Sequence, residues 1–294
     1  MTRNQRSAFT RRQAIAGTLA VAAGASMLGK IAMAEEAKDA PSITKGRINQ
    51  TVCQWCYGKM KVEDLAANAA RMGLKGMDLV GPEHWDTIRK YGLTGTMTPS
   101  HPIEKGLNHK ENWEFCLEKI RKSLDATADA GFPNVICFSG NRNGMSDEEG
   151  LANCAEALKQ VVGLAEQKKV TICMELLNSR VNHKDYMCDK SAWGVKLVKA
   201  VGSERFKLLY DIYHMQIMEG DVIATIKRDH EHFGHYHTGG VPGRNEIDET
   251  QELYYPAIMQ AIVDTKYKGW VGQEFIPKRE PMASLAQAAR ICDV

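Results

Sequence analysis

The chain has 294 residues, 44% hydrophobic and 25% charged, which supplies a full apolar core and excludes disorder throughout. Its formal charge is +2, but residues 1–34 hold Arg3, Arg6, Arg11, Arg12 and Lys30 and no acid. The remainder carries 33 basic against 36 acidic residues, near −3, so no basic stripe for a nucleic-acid partner is expected.

At the start, Arg11-Arg12 precede an apolar run over 14–28 and the small-x-small triplet Ala32-Met33-Ala34. That pattern predicts a twin-arginine signal over 1–34 and a periplasmic, exported protein. The run is about 15 residues, short of the ~20 that span a bilayer, so no stable membrane anchor is expected. Residues 35–45 are polar and aperiodic and read as a linker, leaving 46–294 for a single catalytic domain.

From there strand-like and helix-like segments alternate. β-rich runs fall at 48–53, 76–80, 93–97, 134–138, 170–176, 207–211, 234–237 and 270–274. Amphipathic helical stretches fall at 62–72, 83–90, 112–130, 147–167, 192–201, 222–228, 254–265 and 282–291. Eight βα units over some 250 residues predict an α/β protein, a closed parallel (β/α)8 TIM barrel. An open doubly wound sheet is the competing architecture, but no glycine-rich phosphate loop follows any strand.

The chain has eight cysteines. Cys137 and Cys173 sit in apolar strand runs and read as buried free thiols. Cys53-Gln54-Trp55-Cys56 is a lone C-x-x-C, with a structural or pocket-wall role on one side and a disulfide or redox role on the other.

A barrel of this kind gathers its functional side chains at the C-terminal ends of its strands. The fifth run ends in Glu175, the sixth in Asp211, the seventh in His237 and the eighth in Glu274. A single acid there commonly caps a helix. Three carboxylates brought together on consecutive strands repel one another unless a cation neutralises them. Hard oxygen ligands with one imidazole suit a divalent Mg2+, Mn2+ or Co2+ with open positions for substrate oxygens.

Several stretches carry a resemblance across the whole chain after the linker: Met174-Glu175-Leu176-Leu177-Asn178, Tyr210-Asp211-Ile212-Tyr213-His214-Met215-Gln216, Gly234-His235-Tyr236-His237 and Pro242-Gly243-Arg244-Asn245-Glu246-Ile247-Asp248. The sequence resembles the xylose isomerase-like barrels of the sugar isomerase and epimerase superfamily, in their hydroxypyruvate isomerase-like branch. The resemblance implies that Glu175, Asp211, His237 and Glu274 bind the metal and that Glu175 and Glu274 double as the acid/base pair. His237 stands where hydroxypyruvate isomerases commonly have Gln, which is similar to the ketose 3-epimerases.

Around this set, His214 is expected to hydrogen-bond a substrate oxygen, and Arg244, in a glycine-rich loop, to meet an anionic or polyhydroxyl substrate. Glu246 is expected to orient that arginine or touch substrate, and Trp55 and His101 to wall the pocket; His183 and His230 read as surface residues. The function expected is isomerisation or epimerisation of a small carbohydrate or keto acid, with assembly into a homo-oligomer left open. The competing functions are a metal-dependent lyase or hydrolase on oxidised sugars, a non-catalytic periplasmic sugar-binding protein, and a DNA-repair barrel, which the charge near −3 opposes.

Overall fold

The computed structural model describes residues 41–294. The expected signal and most of the expected linker lie outside these residues. Among the described residues no helix is long and apolar enough to cross a membrane.

Strands and helices alternate in one sequence of units: β1 Asn49–Cys53, α1 Val62–Met72, β2 Gly76–Asp78, α2 Trp85–Lys90, β3 Thr94–Met97, α3 Trp113–Asp129, β4 Asn134–Cys137. There follow α4 Asp147–Lys159, α5 Val162–Lys168, β5 Thr171–Glu175, α6 Ser191–Val201, β6 Phe206–Asp211, α7 Ile212–Met218 and α8 Val222–Asp229. The last units are β7 Phe233–Thr238, α9 Tyr255–Asp264, β8 Trp270–Gln273 and α10 Pro281–Ile291.

All eight strands pair in parallel in the order β3-β2-β1-β8-β7-β6-β5-β4. The two ends of this sheet meet one residue beyond β3. Thr98 forms a parallel bridge with Val135, its N–H reaching Asn134 O at 3.0 Å and its carbonyl accepting from Ile136 N at 3.0 Å. That bridge closes the (β/α)8 barrel, with helices outside.

The expected strands are all present, with boundaries shifted by a residue or two. The single helix expected at 147–167 is broken at Gln160-Val161, where Val161 has φ −129°. Two β-branched residues in succession, Val161 and Val162, favour such an interruption. The short helix α7 was not expected from the sequence. It exists because Asp211 caps it, its Oδ1 accepting from His214 N at 3.1 Å.

Outward strand residues pack on the helices: Leu208, for example, lies against the bare Cα of Gly194 in α6. A second apolar cluster joins Val52, Leu65, Met77, Ile88 and Phe132 beneath α1 and α2. The barrel interior is different. Thr51, Cys53, Asp78, Thr96, His235 and His237 are fully buried there, where such barrels ordinarily stack branched apolar residues.

The first described residues are held to the barrel edge. Ser42 N and Ile43 N donate to Met72 O, and the Asp293 carboxylate accepts from Thr44, Lys45 and Gly46 N at 2.6, 2.7 and 2.8 Å.

Candidate active site

Strand register brings the candidate residues to one height. Asp211 on β6 pairs with His237 on β7, and His237 pairs with Gly272 on β8. Side chains alternate in a strand, so Glu274, two residues past Gly272, points to the same interior face. Glu175 ends β5 opposite Leu209. The result is that Glu175, Asp211, His237 and Glu274 each offer a ligand atom, all within 4.8 Å of one another.

The electrostatics of this cluster are strained. Burial pushes the Asp211 carboxyl up to about 7, with Arg244 pulling it down and Glu274 and Glu175 pushing it further up. Burial likewise raises the Glu175 carboxyl, with Glu274 adding to it. For Glu274 burial acts in the same sense but is outweighed by Arg244 and then His237, which hold it well below the usual carboxylate range. The two neighbouring carboxylates are therefore pushed in opposite directions.

Arg244 supplies the positive charge. Its Nη2 donates to Asp211 Oδ2 at 2.9 Å and closely to Glu274 Oε2, and its Nε donates to Glu274 O at 3.1 Å. The guanidinium lies 5.3 Å from the ring centroids of both Trp55 and Tyr213. It reaches there from a tight loop in which Arg244 N bonds Gly240 O and Arg244 itself has φ +58°, a left-handed conformation that a non-glycine residue adopts at a cost of roughly 1–2 kcal/mol.

His214 is buried beside it. Its Nδ1 accepts from Asn178 N at 3.1 Å, and Arg244 Nη1 lies 2.9 Å from its Nε2. Burial and then Arg244 keep this imidazole neutral, well below the usual histidine range. Trp55 also joins the site, its Nε1 donating to Glu274 Oε1 at 2.7 Å.

A cavity of about 520 Å³ opens above the cluster. Leu79, Ile103 and Phe138 form an apolar wall, while Glu175, Glu274 and Arg244 form the polar floor and side. Asp211 and His237 lie behind that floor, fully buried.

Two expected pocket residues stand elsewhere. Glu246 accepts from Lys278 N and Arg279 N at 3.0 Å and from Ser284 Oγ at 2.9 Å, so it anchors the segment leading into α10 rather than facing the cavity. His101 has both ring nitrogens committed, Nδ1 to the carbonyls of Pro102 and Lys105 and Nε2 to Phe138 N, and it packs behind the wall. His183, read from the sequence as a surface residue, lines the cavity and lies 5.3 Å from the His214 ring. Its place in the loop after β5 was the available signal. All eight cysteines are free, Cys53 and Cys56 included.

The donor set fits a divalent cation. His237 Nδ1 is fully buried and faces carboxylates, 3.6 Å from Glu175 Oε1 and 2.6 Å from Glu274 Oε2. An imidazole nitrogen converging with three carboxylates is a donor set that suits a divalent cation. A family model described as the xylose isomerase-like TIM barrel matches residues 66–292. The chain belongs to the xylose isomerase-like TIM barrel family.

Relatives within the family are informative about reach. The chain is 30% identical over 236 residues to the hydroxypyruvate isomerase of Escherichia coli K12, covering 74% of this chain and 88% of that one. It is 35% identical over 134 residues to the 2-oxo-tetronate isomerase of Cupriavidus necator, covering 46% of this chain and 51% of that protein; it spans about half the length of that relative. Among solved structures, the D-psicose 3-epimerase of Clostridium cellulolyticum H10, described with D-tagatose, superposes with a TM-score of 0.69 at 17% identity, covering 84% of this chain and all of the other, and so shares the fold.

Proposed function

We propose that this barrel is a divalent-metal-dependent isomerase or epimerase of a small sugar or hydroxy keto acid, moving a proton on the carbon beside a carbonyl. The observation that carries the reading is the division of the cluster. Glu175 and Glu274 reach the cavity floor while Asp211 and His237 are buried behind them. Two carboxylates can thus touch a reacting carbon while two residues serve only to hold an ion. The identities to a hydroxypyruvate isomerase and a 2-oxo-tetronate isomerase support the same class.

Glu175, Asp211, His237 and Glu274 would hold one Mg2+, Mn2+ or Co2+. When bound, such an ion supplies Lewis acidity to the carbonyl and adjacent hydroxyl oxygens of a substrate. Of the two cavity-facing carboxylates, the ionised one removes the proton beside the carbonyl and the protonated one returns a proton to the enediolate. Which of Glu175 and Glu274 starts as base depends on the direction of the reaction, and the reverse reaction exchanges the roles. Trp55 fixes the Glu274 carboxylate through its indole N–H, and Arg244, which lines the cavity, presents a donor to substrate oxygens, while His214, expected to touch substrate, is buried behind it and holds its guanidinium. The apolar wall of Leu79, Ile103 and Phe138 excludes water from the reacting carbon.

The test is solvent deuterium incorporation by metal-loaded protein over a panel of ketoses, aldoses, 3-keto-sugars and hydroxypyruvate. Deuterium beside the carbonyl, abolished by chelator, is the expected result. Tight binding of a panel member with no exchange would remove the isomerase reading in favour of a sugar-binding protein, and a product of lower mass would turn it into a lyase.

Export belongs to the same proposal, resting on Arg11-Arg12 and the apolar run that follows. A reporter fused behind residues 1–34 should reach the periplasm and stay inside when both arginines become lysine.

A further inference from the structure

Beneath the metal ligands, within the barrel, lies a second set of polar groups that the proposed reaction does not use. Its centre is Asp78, the last residue of β2, fully buried and not among the residues that line the cavity. Asp78 Oδ2 lies 2.8 Å from His235 Nε2 and 3.2 Å from His237 Nε2, and its Oδ1 takes a close hydrogen bond from Thr96 Oγ1. Space for the carboxylate comes from Gly272, where a Cβ would sit 2.3 Å from Asp78 Oδ2 and 2.9 Å from His237 Cδ2.

The proton inventory of this cluster is constrained. A carboxylate is an acceptor only, and a carboxylate surrounded by two ring nitrogens and a hydroxyl keeps its charge. Each ring nitrogen facing it therefore carries the proton. For His237 that nitrogen is Nε2, so a neutral ring has its lone pair on Nδ1, the atom that faces Glu175 and Glu274. The two nitrogens of one imidazole are assigned by the partner of one of them.

We propose that Asp78 is the positioning residue of the metal site, fixing the tautomer and ring plane of His237 so that Nδ1 is the nitrogen offered to a divalent cation. This rests on the metal-dependent reading above. His235 and Thr96 hold the Asp78 carboxylate itself in place.

Cys53 Sγ, Asp78 and His237 also lie close enough together to act as ligands, with Sγ 3.6 Å from His237 Nε2. They do not form a second metal site. A cation there would take the Nε2 lone pair and leave the proton on Nδ1, so that His237 could not also serve the upper site, and it would compete with Thr96 and His235 for Asp78. The chain accordingly takes one ion.

The test uses the full chain, with Co2+ as the probe for affinity and coordination, and nitrogen-15 histidine NMR of wild-type protein, metal-free and loaded with diamagnetic Zn2+. Wild type should bind one Co2+, with Nε2 of His237 protonated in both NMR states. In Asp78→Asn the carboxamide can turn its N–H2 to the ring and reverse the tautomer; Co2+ affinity should fall by about 10- to 100-fold and the visible Co2+ spectrum should change. Wild type that binds no divalent ion would remove the metal reading. Equal Co2+ affinity in the variant, an unprotonated Nε2 in wild type, or a second Co2+ per chain would overturn the role of Asp78 while leaving the first site intact. Should Asp78→Asn fail to fold, the wild-type NMR and stoichiometry decide.

Discussion

Trp55 donates its indole N–H to Glu274 Oε1 at 2.7 Å, linking the turn after β1 to the residue that ends β8. The bond constrains one oxygen of a carboxylate whose other oxygen faces Arg244 and His237. Trp55→Phe keeps a ring for the Arg244 contact and removes only that donor. A hydrogen bond to a charged group contributes about 1.5–3 kcal/mol, so turnover should fall by about 10- to 100-fold. Metal content, measured by elemental analysis, should be nearly unchanged, since Glu175, Asp211, His237 and Glu274 all remain.

Replacing the cavity-facing carboxylates separates proton transfer from ion binding. Glu175→Gln and Glu274→Gln should each lose roughly 100-fold or more in turnover, in keeping with removal of a general acid or base. Asp211→Asn should act mainly on metal affinity, recoverable in part at high metal concentration. Kinetics as a function of Mn2+ distinguishes the two patterns; full activity in either glutamine variant would contradict the assignment of that residue.

The interior leaves no room at Gly272. Gly272→Ala places a methyl 2.3 Å from Asp78 Oδ2, and overpacking of this kind costs about 1–3 kcal/mol. Gly163, inside α5, has nothing within 4 Å of where its Cβ would lie. Gly163→Ala should stabilise by up to about 1 kcal/mol through helix propensity. Thermal melts of the two variants should move in opposite directions.

Asp293 provides a pH-dependent clasp. Burial alone would raise its carboxyl, but the N–H groups of Lys45, Thr44 and Gly46 outweigh it and hold it below the usual range. A depressed folded-state value means that the stabilisation is full above the unfolded-state value and is lost as pH falls through the folded one. Asp293→Asn should therefore lower the melting temperature at neutral pH, by an amount on the order of 1 kcal/mol for this partly exposed group. The gap between variant and wild type should be constant from pH 7 to about pH 5 and close in more acidic buffer.

Much of the fold was legible because it is written locally. Eight β-rich runs separated by amphipathic stretches specify βα units from side-chain periodicity alone, and the observed strands fall within a residue or two of them. The break at Val161 and the helix α7 were not legible: the first depends on two adjacent β-branched residues in an otherwise helical pattern, the second on a cap whose side chain also faces the site.

The strand-end positions of Glu175, Asp211, His237 and Glu274 follow from the sequence, because a parallel ladder with side chains alternating in and out sends the last inward residue of each strand to the same mouth. What the sequence could not decide is which distant groups those residues meet. Asp78 reads as one acid in an apolar run, and only barrel closure sets it against His235 and His237, 157 and 159 residues away. The same closure gives Trp55 to Glu274, turns Glu246 and His101 to other partners, and moves His183 into the cavity wall. Local pattern fixes the face on which a side chain stands; the contacts across the barrel arise from strand register and loop conformation, which exist only once all eight strands are paired.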